Sequence, residues 1–318
     1  MAGLPIFVTG ANRSGTTWMG NVLSQAADVA YVHEPFSPSL DPAVSRIPTH
    51  AHFTYGTTLD PAQRAALDRL LAGRLPNPSG WRRDITAWKP FAMGVREVGR
   101  AIGRRRRRVL IKDPTACLLS PAVQAATGGP VVFMVRRPEA YVSSITRLGW
   151  GFDFSVWADD ERLMGLLGDV AEEVERAATT DLPVFDQAIT IYNGIYTMAD
   201  RFRQDHSDWL FLRHEEMAAD PLETLPPVYE QLGLAWTPEV ARAVERDNVL
   251  APSKDIAPAE FRTVVRQSSA TVDTWRSRLD DDQAATIRSR PRPSPATSTT
   301  TPDDEPRWGQ PGPERYTS

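Results

Sequence analysis

Gly10 and Gly15 enclose four residues, with Arg13 among them and Thr16-Thr17 directly after. Glycines at that spacing let a loop turn its backbone N–H groups toward one point, and a following helix adds the positive end of its dipole. The chemistry this predicts is capture of a phosphate-like anion by Arg13, Ser14, Gly15, Thr16, Thr17 and Trp18. Arg136 and Ser144 stand eight apart, with Pro138 two after the arginine. Proline suits the first turn of a helix, so Arg136 would sit just ahead of one, with the Ser144 hydroxyl two turns in. An arginine so placed supplies a bidentate cation for a second anion. Two further pairs, His33-Glu34 and Lys112-Asp113, carry groups able to move a proton or steady a charge.

These groups need a scaffold, and the apolar runs supply it. Ile6, Phe7 and Val8 form a short β-prone stretch that stops at Gly10, as a buried parallel strand would. From Thr16 onward Trp18, Met19, Val22 and Leu23 recur at helical spacing. Similar runs near 29–33, 108–112, 131–135 and 209–212 read as four more strands. Three of them deliver His33-Glu34, Lys112-Asp113 and Arg136 at their ends, and ligands in parallel α/β sheets bind beyond such ends. The predicted fold is α/β, a single three-layer domain over residues 1–290. Its central parallel sheet has about five strands, with the first strand in the middle. Helices are expected over Leu59–Leu75, opened by Asp60-Pro61, and over Phe91–Gly103. Residues 159–206 should be largely helical, with Pro183 starting a second long helix, and a final helix should run from Trp275 to about Arg288.

Composition narrows the function classes. With 318 residues, 41% hydrophobic, 24% charged and a net charge of −4, the chain has material for a full core and no basic excess, so nucleic acid is not an implied partner. The single cysteine, Cys117, excludes an internal disulfide and fits a reducing compartment. No apolar run approaches a membrane span, and the first strand begins too near Met1 to leave room for a cleaved signal. A cytoplasmic protein is expected. Seven prolines among Ser, Thr and charged positions in residues 291–318 predict a disordered tail. Five histidines and one cysteine form no metal-ligand pattern, so no metal is expected.

The loop has the Walker A spacing with Thr16 where the lysine should stand, which weakens a kinase or ATPase reading. Arg13-Ser14-Gly15-Thr16-Thr17-Trp18 resembles instead the 5′-phosphosulfate loop of sulfotransferases that use 3′-phosphoadenosine 5′-phosphosulfate (PAPS), many of which have lysine at the place of Arg13. Arg136, Pro138 and Ser144 resemble the same family's 3′-phosphate signature. The resemblance spans roughly residues 5–288 and implies a P-loop-like fold. It also implies transfer of a sulfuryl group from PAPS, as co-substrate, to a hydroxyl or amine of a small-molecule, lipid or carbohydrate acceptor. His33-Glu34-Pro35-Phe36 resembles the segment after the second strand in carbohydrate sulfotransferases, where a glutamate often serves as base. Aryl sulfotransferases carry a lysine like Lys112 followed by a catalytic histidine two residues on. This chain has Pro114 there, which moves the base elsewhere. Catalytic roles are therefore expected for Glu34, Arg13, His33 and Lys112. The family also places a basic loop over the 3′-phosphate, for which Arg266, with Arg262, is the candidate despite missing glycines.

Several alternatives stay open at this level. Strand alternation should send residues 33 and 34 to opposite sides, so that only one of His33 and Glu34 faces the pocket. A small-molecule kinase using Lys112-Asp113 for Mg²⁺, and a non-catalytic nucleotide-binding protein, compete with sulfuryl transfer. The arginine run 104–108 reads as a solvated helix end. Arg213 to Met217 replaces a phrase common in the family and reads as structural. Cys117 reads as packing. Trp150, Phe152, Phe154 and Trp157 fit an acceptor pocket or a core corner equally well.

Overall fold

The computed structural model describes residues 3–38, 47–73, 107–249 and 272–290. Five strands, β1 (Ile6–Gly10), β2 (Val29–His33), β3 (Arg108–Lys112), β4 (Val131–Val135) and β5 (Leu210–Arg213), form one sheet in the order β2-β3-β1-β4-β5. Every neighbouring pair is parallel. β1 is central and buried along its whole length, as its unbroken apolar run requires. The connections contain α1 (Thr16–Leu23), α2 (Pro61–Leu71), α3 (Ser120–Thr127), α4 (Pro138–Leu148), α5 (Ser155–Ala158) and α6 (Glu161–Leu167). They end with α7 (Val170–Thr179) and α8 (Val184–Asp205), and α9 (His214–Ala219), α10 (Pro221–Gln231), α11 (Pro238–Val249) and α12 (Asp281–Ser289) follow β5.

Alternation along the strands builds the three layers. Ile6, Val8, Leu110, Val132, Met134, Leu210 and Leu212 pack on one side with Met19, Val22 and Leu23 of α1 and Leu225, Val228 and Tyr229 of α10. Phe7, Ile111, Phe133, Val135 and Phe211 face the other side, against Tyr141 and Val142 of α4 and Ile191, Ile195 and Met198 of α8. The expected α/β sheet with its first strand central is therefore the observed one.

Small departures have local causes. β5 starts at Leu210 rather than 209 because the Trp209 amide closes a turn onto the His206 carbonyl at 3.2 Å. α2 begins at Pro61, where Asp60 and Gln63 cap each other, and it closes through Ala72 and Gly73 bonding back to Asp68 and Leu70. The expected final helix is divided: Thr274–Ser277 is a 3₁₀ turn, and Asp280 starts α12 with a second reciprocal cap to Gln283. Arg108 is not part of a helix end. It opens β3 and spends its guanidinium on the carbonyls of Leu4 and Leu232. The helix expected over Phe91–Gly103, Arg104 to Arg106, Arg262, Arg266 and the tail lie outside the described residues. No helix among the described residues is long and apolar enough to cross a membrane.

Candidate active site

Between β1 and α1 the chain makes a tight loop in which Arg13 and Gly15 both adopt left-handed backbone (φ 66 and 89). A non-glycine residue there stores roughly 1–3 kcal/mol, so the surrounding contacts must over-determine Arg13. The Ser14 side chain and amide both bond back to the Ala11 carbonyl. Ser14 thus braces the loop with its own donors. Gly15 is the N-cap of α1, and among the described residues no side chain caps it, so the first-turn amides point outward from the helix. Thr16 is buried and Thr17 exposed at this end.

Why Gly15 must be glycine is visible beneath it. A Cβ there would lie 2.3 Å from Nδ1 of His214, the first residue of α9. His214 also meets Trp18 edge-on at 5.9 Å. Burial, with Arg136 and Arg13 adding to it, pushes its pKa down to about 3, so the imidazole is neutral. Its Nδ1 has no hydrogen-bond partner among the described residues. The segment expected to be structural thus packs beneath the loop through His214.

The two segments expected to bind anions are one hydrogen-bonded unit. Arg13 Nε donates to Ser144 Oγ at 3.0 Å, and Arg136 Nη1 donates to the Arg13 carbonyl. Arg136 is itself fixed from α8: its amide donates to Tyr196 Oη, and Tyr192 Oη donates to its carbonyl, each at 3.0 Å. Tyr141 adds a bond to Asn12 Oδ1 at 3.0 Å.

At the adjoining strand ends stands an acid–base cluster. Lys112 Nζ is ion-paired with Glu34 Oε1, and the Lys112 side chain is wholly buried. His33 Nε2 lies 3.6 Å from the same Glu34 oxygen, and Tyr31 Oη lies 3.1 Å from His33 Nδ1. Tyr31 and His33 share a side of β2, as alternation dictates. Glu34 departs from the pattern because its backbone is left-handed (φ 42), held by its amide on the Lys112 carbonyl at 2.7 Å. Its carboxylate consequently swings back beside His33, and the expectation that the two would face opposite ways fails. Burial favours a neutral Glu34, but Lys112, His33 and His52 outweigh it and hold the carboxyl below its usual range. Burial also lowers the Lys112 ammonium, against the pull of Glu34.

Asp113 plays a different part. It is fully buried, and its carboxylate accepts from the Phe36 amide at 2.7 Å and from the Thr115 amide and hydroxyl at 3.0 and 2.7 Å. It therefore ties the exit of β2 to the exit of β3, leaving its oxygens engaged. Burial, then Glu34, pushes its pKa up to about 7 despite those bonds. The Phe53 amide joins the same corner through the Thr115 carbonyl at 2.8 Å, with Phe53 also left-handed (φ 57). That brings the His52–Phe53 segment into the site, where burial lowers the His52 imidazole against the opposing charge of Glu34. Cys117 is buried packing, its thiol raised by burial. Phe154 and Trp157 form a core corner, Trp157 Nε1 donating to the Phe53 carbonyl at 3.0 Å, while Trp150 is exposed.

Glu34, His33, Lys112, Arg13, Arg136 and Ser144 are thus all placed at the carboxyl ends of β2, β3, β1 and β4. Sequence reasoning missed Tyr192, Tyr196, Tyr141, His52 and the supporting role of Tyr31. The tyrosine pair of α8 did carry a signal, since two hydroxyls four residues apart on an otherwise apolar helix face need buried partners.

The sequence matches a family model described as "Sulfotransferase family" over residues 5–238. No curated protein matches the chain. Among solved structures, the sulfotransferase domain from the Synechococcus PCC 7002 olefin synthase is similar at 16% identity, covering 90% of this chain and 94% of that one with a TM-score of 0.45. The sulfotransferase domain from the curacin biosynthetic pathway shares 13% identity over 91% and 97%, also at 0.45. Mouse sulfotransferase SULT7A1 complexed with PAP shares 13% over 89% and 81%, at 0.40. At these scores the family match alone assigns the chain.

Proposed function

Because the chain belongs to the sulfotransferase family, we propose that it moves a sulfuryl group from PAPS to an acceptor hydroxyl or amine of a small molecule, lipid or sugar. The observation that carries this is the link from Arg13 to Ser144 and from Arg136 to the Arg13 carbonyl, which makes two anion sites into one preorganised cradle. An uncapped helix N-terminus with no acidic residue in its first turn, over a neutral imidazole, suits an anionic ligand.

PAPS supplies the activated sulfuryl group and a stable leaving nucleotide. The chain supplies position and charge. Arg13 with the amides of Gly15 to Trp18 serves the 5′-phosphosulfate, and Ser144 and Arg136 serve the 3′-phosphate. Lys112, buried beside Glu34, offsets negative charge at the transferring group. Glu34 is ionised at neutral pH and takes the acceptor proton. The Mg²⁺ site a kinase would need at Asp113 is disfavoured, since that carboxylate already accepts three hydrogen bonds in full burial. A buried, unpaired Cys117 suits a reducing compartment, and the cytoplasm is the proposed location.

Thermal shift tests the ligand first. Adenosine 3′,5′-bisphosphate should stabilise the protein far more than ATP with Mg²⁺. A PAPS-dependent acceptor screen read by mass spectrometry for added sulfate then tests turnover. Preference for ATP would refute the donor, and ligand binding without turnover on any acceptor would favour a non-catalytic role.

A further inference from the structure

A carboxylate that takes a proton in each turnover has to lose it before the next. Glu34 is poorly placed to do so alone. Its side chain is 21% exposed, and the ammonium paired with it is wholly buried. Lys112 already carries its protons. Asp113 has both oxygens engaged by Phe36 and Thr115. His52, on the neighbouring loop, is half-buried and lowered by burial. His33 differs from all of these: one ring nitrogen is 3.6 Å from Glu34 Oε1, and half of its side chain faces solvent.

We propose that Tyr31 and His33 are the proton outlet of Glu34, a positioning pair that returns the acceptor's proton to water after each transfer; this rests on Glu34 being the base of the reaction proposed above. Tyr31 sets the imidazole. Its ring lies against α1 at Gly20, where an added Cβ would be 2.7 Å from Tyr31 Cε2, and its hydroxyl is 3.1 Å from His33 Nδ1. When Nδ1–H is donated to Tyr31 Oη, Nε2 is the nitrogen left to accept the proton once Glu34 has taken it up. The left-handed Glu34 backbone makes the approach, since regular alternation would have put its carboxylate on the other side of the strand.

The steps balance without any oxidant. As the acceptor oxygen bonds to sulfur, its O–H proton passes to the Glu34 carboxylate, and the bridging S–O bond breaks with its electron pair leaving on the 5′-phosphate. The Glu34 O–H bond then breaks and a His33 Nε2–H bond forms. The imidazolium then releases the Nε2 proton to water reaching its half-exposed ring, while Nδ1 keeps its proton, so both groups return to their starting charge and tautomer.

Two measurements test this, one independent of turnover. The first is ¹⁵N NMR titration of His33. Glu34→Gln removes the carboxylate that favours the imidazolium, so His33 should titrate at lower pH than in the wild type, and Tyr31→Phe should also move it. An unmoved His33 titration in Glu34→Gln overturns the proposal whatever the enzyme does. The second is kinetic. His33→Ala should lower kcat roughly tenfold with donor KM within about twofold, and added imidazole should restore the rate in proportion to its concentration. Wild type should ignore imidazole. Loss of rate without rescue, or no loss, overturns the relay. A wild-type protein that never transfers sulfate refutes the reaction itself, which the titration distinguishes from failure of the coupling.

Discussion

Glutamine in place of Glu34 keeps the side chain's size and removes its charge, so it separates two consequences of one contact. The Lys112 ammonium is wholly buried and ion-paired with that carboxylate. Removing one partner of a buried pair costs about 3–5 kcal/mol, because the other charge is stranded out of water. Asp113 lies near enough to support Lys112, and Glu34 retains some exposure, so the lower end, about 3 kcal/mol, is expected. At roughly 2–4 °C per kcal/mol for a domain of this size class, Tm should fall by about 6–12 °C. The pH dependence has a definite sign. Without its partner, Lys112 in the folded protein binds protons less tightly than in the unfolded chain, where its pKa is about 10.4. The unfolded state then holds more protons between the two values, so the variant's stability should climb from pH 7 toward 10 more steeply than the wild type's. Adding Lys112→Met to Glu34→Gln should recover most of the lost stability and flatten that slope. Activity should not recover: kcat in Glu34→Gln should drop by roughly 10²-fold or more with nucleotide affinity nearly unchanged. Calorimetric Tm across pH and steady-state kinetics on the three proteins decide it. Wild-type stability and pH slope in Glu34→Gln would refute the ion pair, and wild-type kcat would refute the base. Should His33→Ala be inactive while Glu34→Gln works, the two roles are exchanged.

Other outcomes follow from the same geometry. Arg13→Ala should abolish turnover, whereas Arg13→Lys should keep part of it, since a point charge still meets the leaving group but loses the fork that reaches Ser144. Ser144→Ala should weaken adenosine 3′,5′-bisphosphate by about 1.5–3 kcal/mol and adenosine 5′-phosphate less, the latter only through the lost Arg13 hydrogen bond, while Arg136→Ala, which releases the Arg13 carbonyl, should weaken both in calorimetry. Gly15→Ala should lose nucleotide binding, because its φ of 89 is unfavourable for alanine and its Cβ strikes His214; His214→Ala in the same chain should restore only the part due to the clash. Asp113, raised to about 7 when folded against about 3.9 when unfolded, binds more protons in the native state between those values, so urea-measured stability should fall as pH rises through that window and the slope should flatten in Asp113→Asn.

How much of this was legible follows from how far apart the determinants lie. The strands were readable because each is a contiguous apolar run with a turn signal at its end, and β5 shifted by one residue only because the Trp209 amide belongs to a turn. Arg13, Arg136 and Ser144 were readable because strand-end and helix-start signals flank each of them locally. The supports were not. Tyr192 and Tyr196 reach Arg136 across 56 and 60 residues, and nothing near Arg136 announces them. His214 meets Gly15 only because β5 lies beyond β4 in the sheet, a fact of strand order rather than of local sequence. Glu34 is the instructive failure. Period-two alternation ends with β2 at His33, and Glu34 lies one residue past it, where the ladder no longer enforces side. The Glu34 amide bonds to the Lys112 carbonyl, Pro35 follows, and the Phe36 amide is taken by Asp113, so the backbone turns left-handed within one residue. A strand rule predicts side only while the strand lasts. Past that point, the neighbouring strand's exit decided where the carboxylate went, and it placed His33 and Glu34 side by side rather than leaving one of them out of the site.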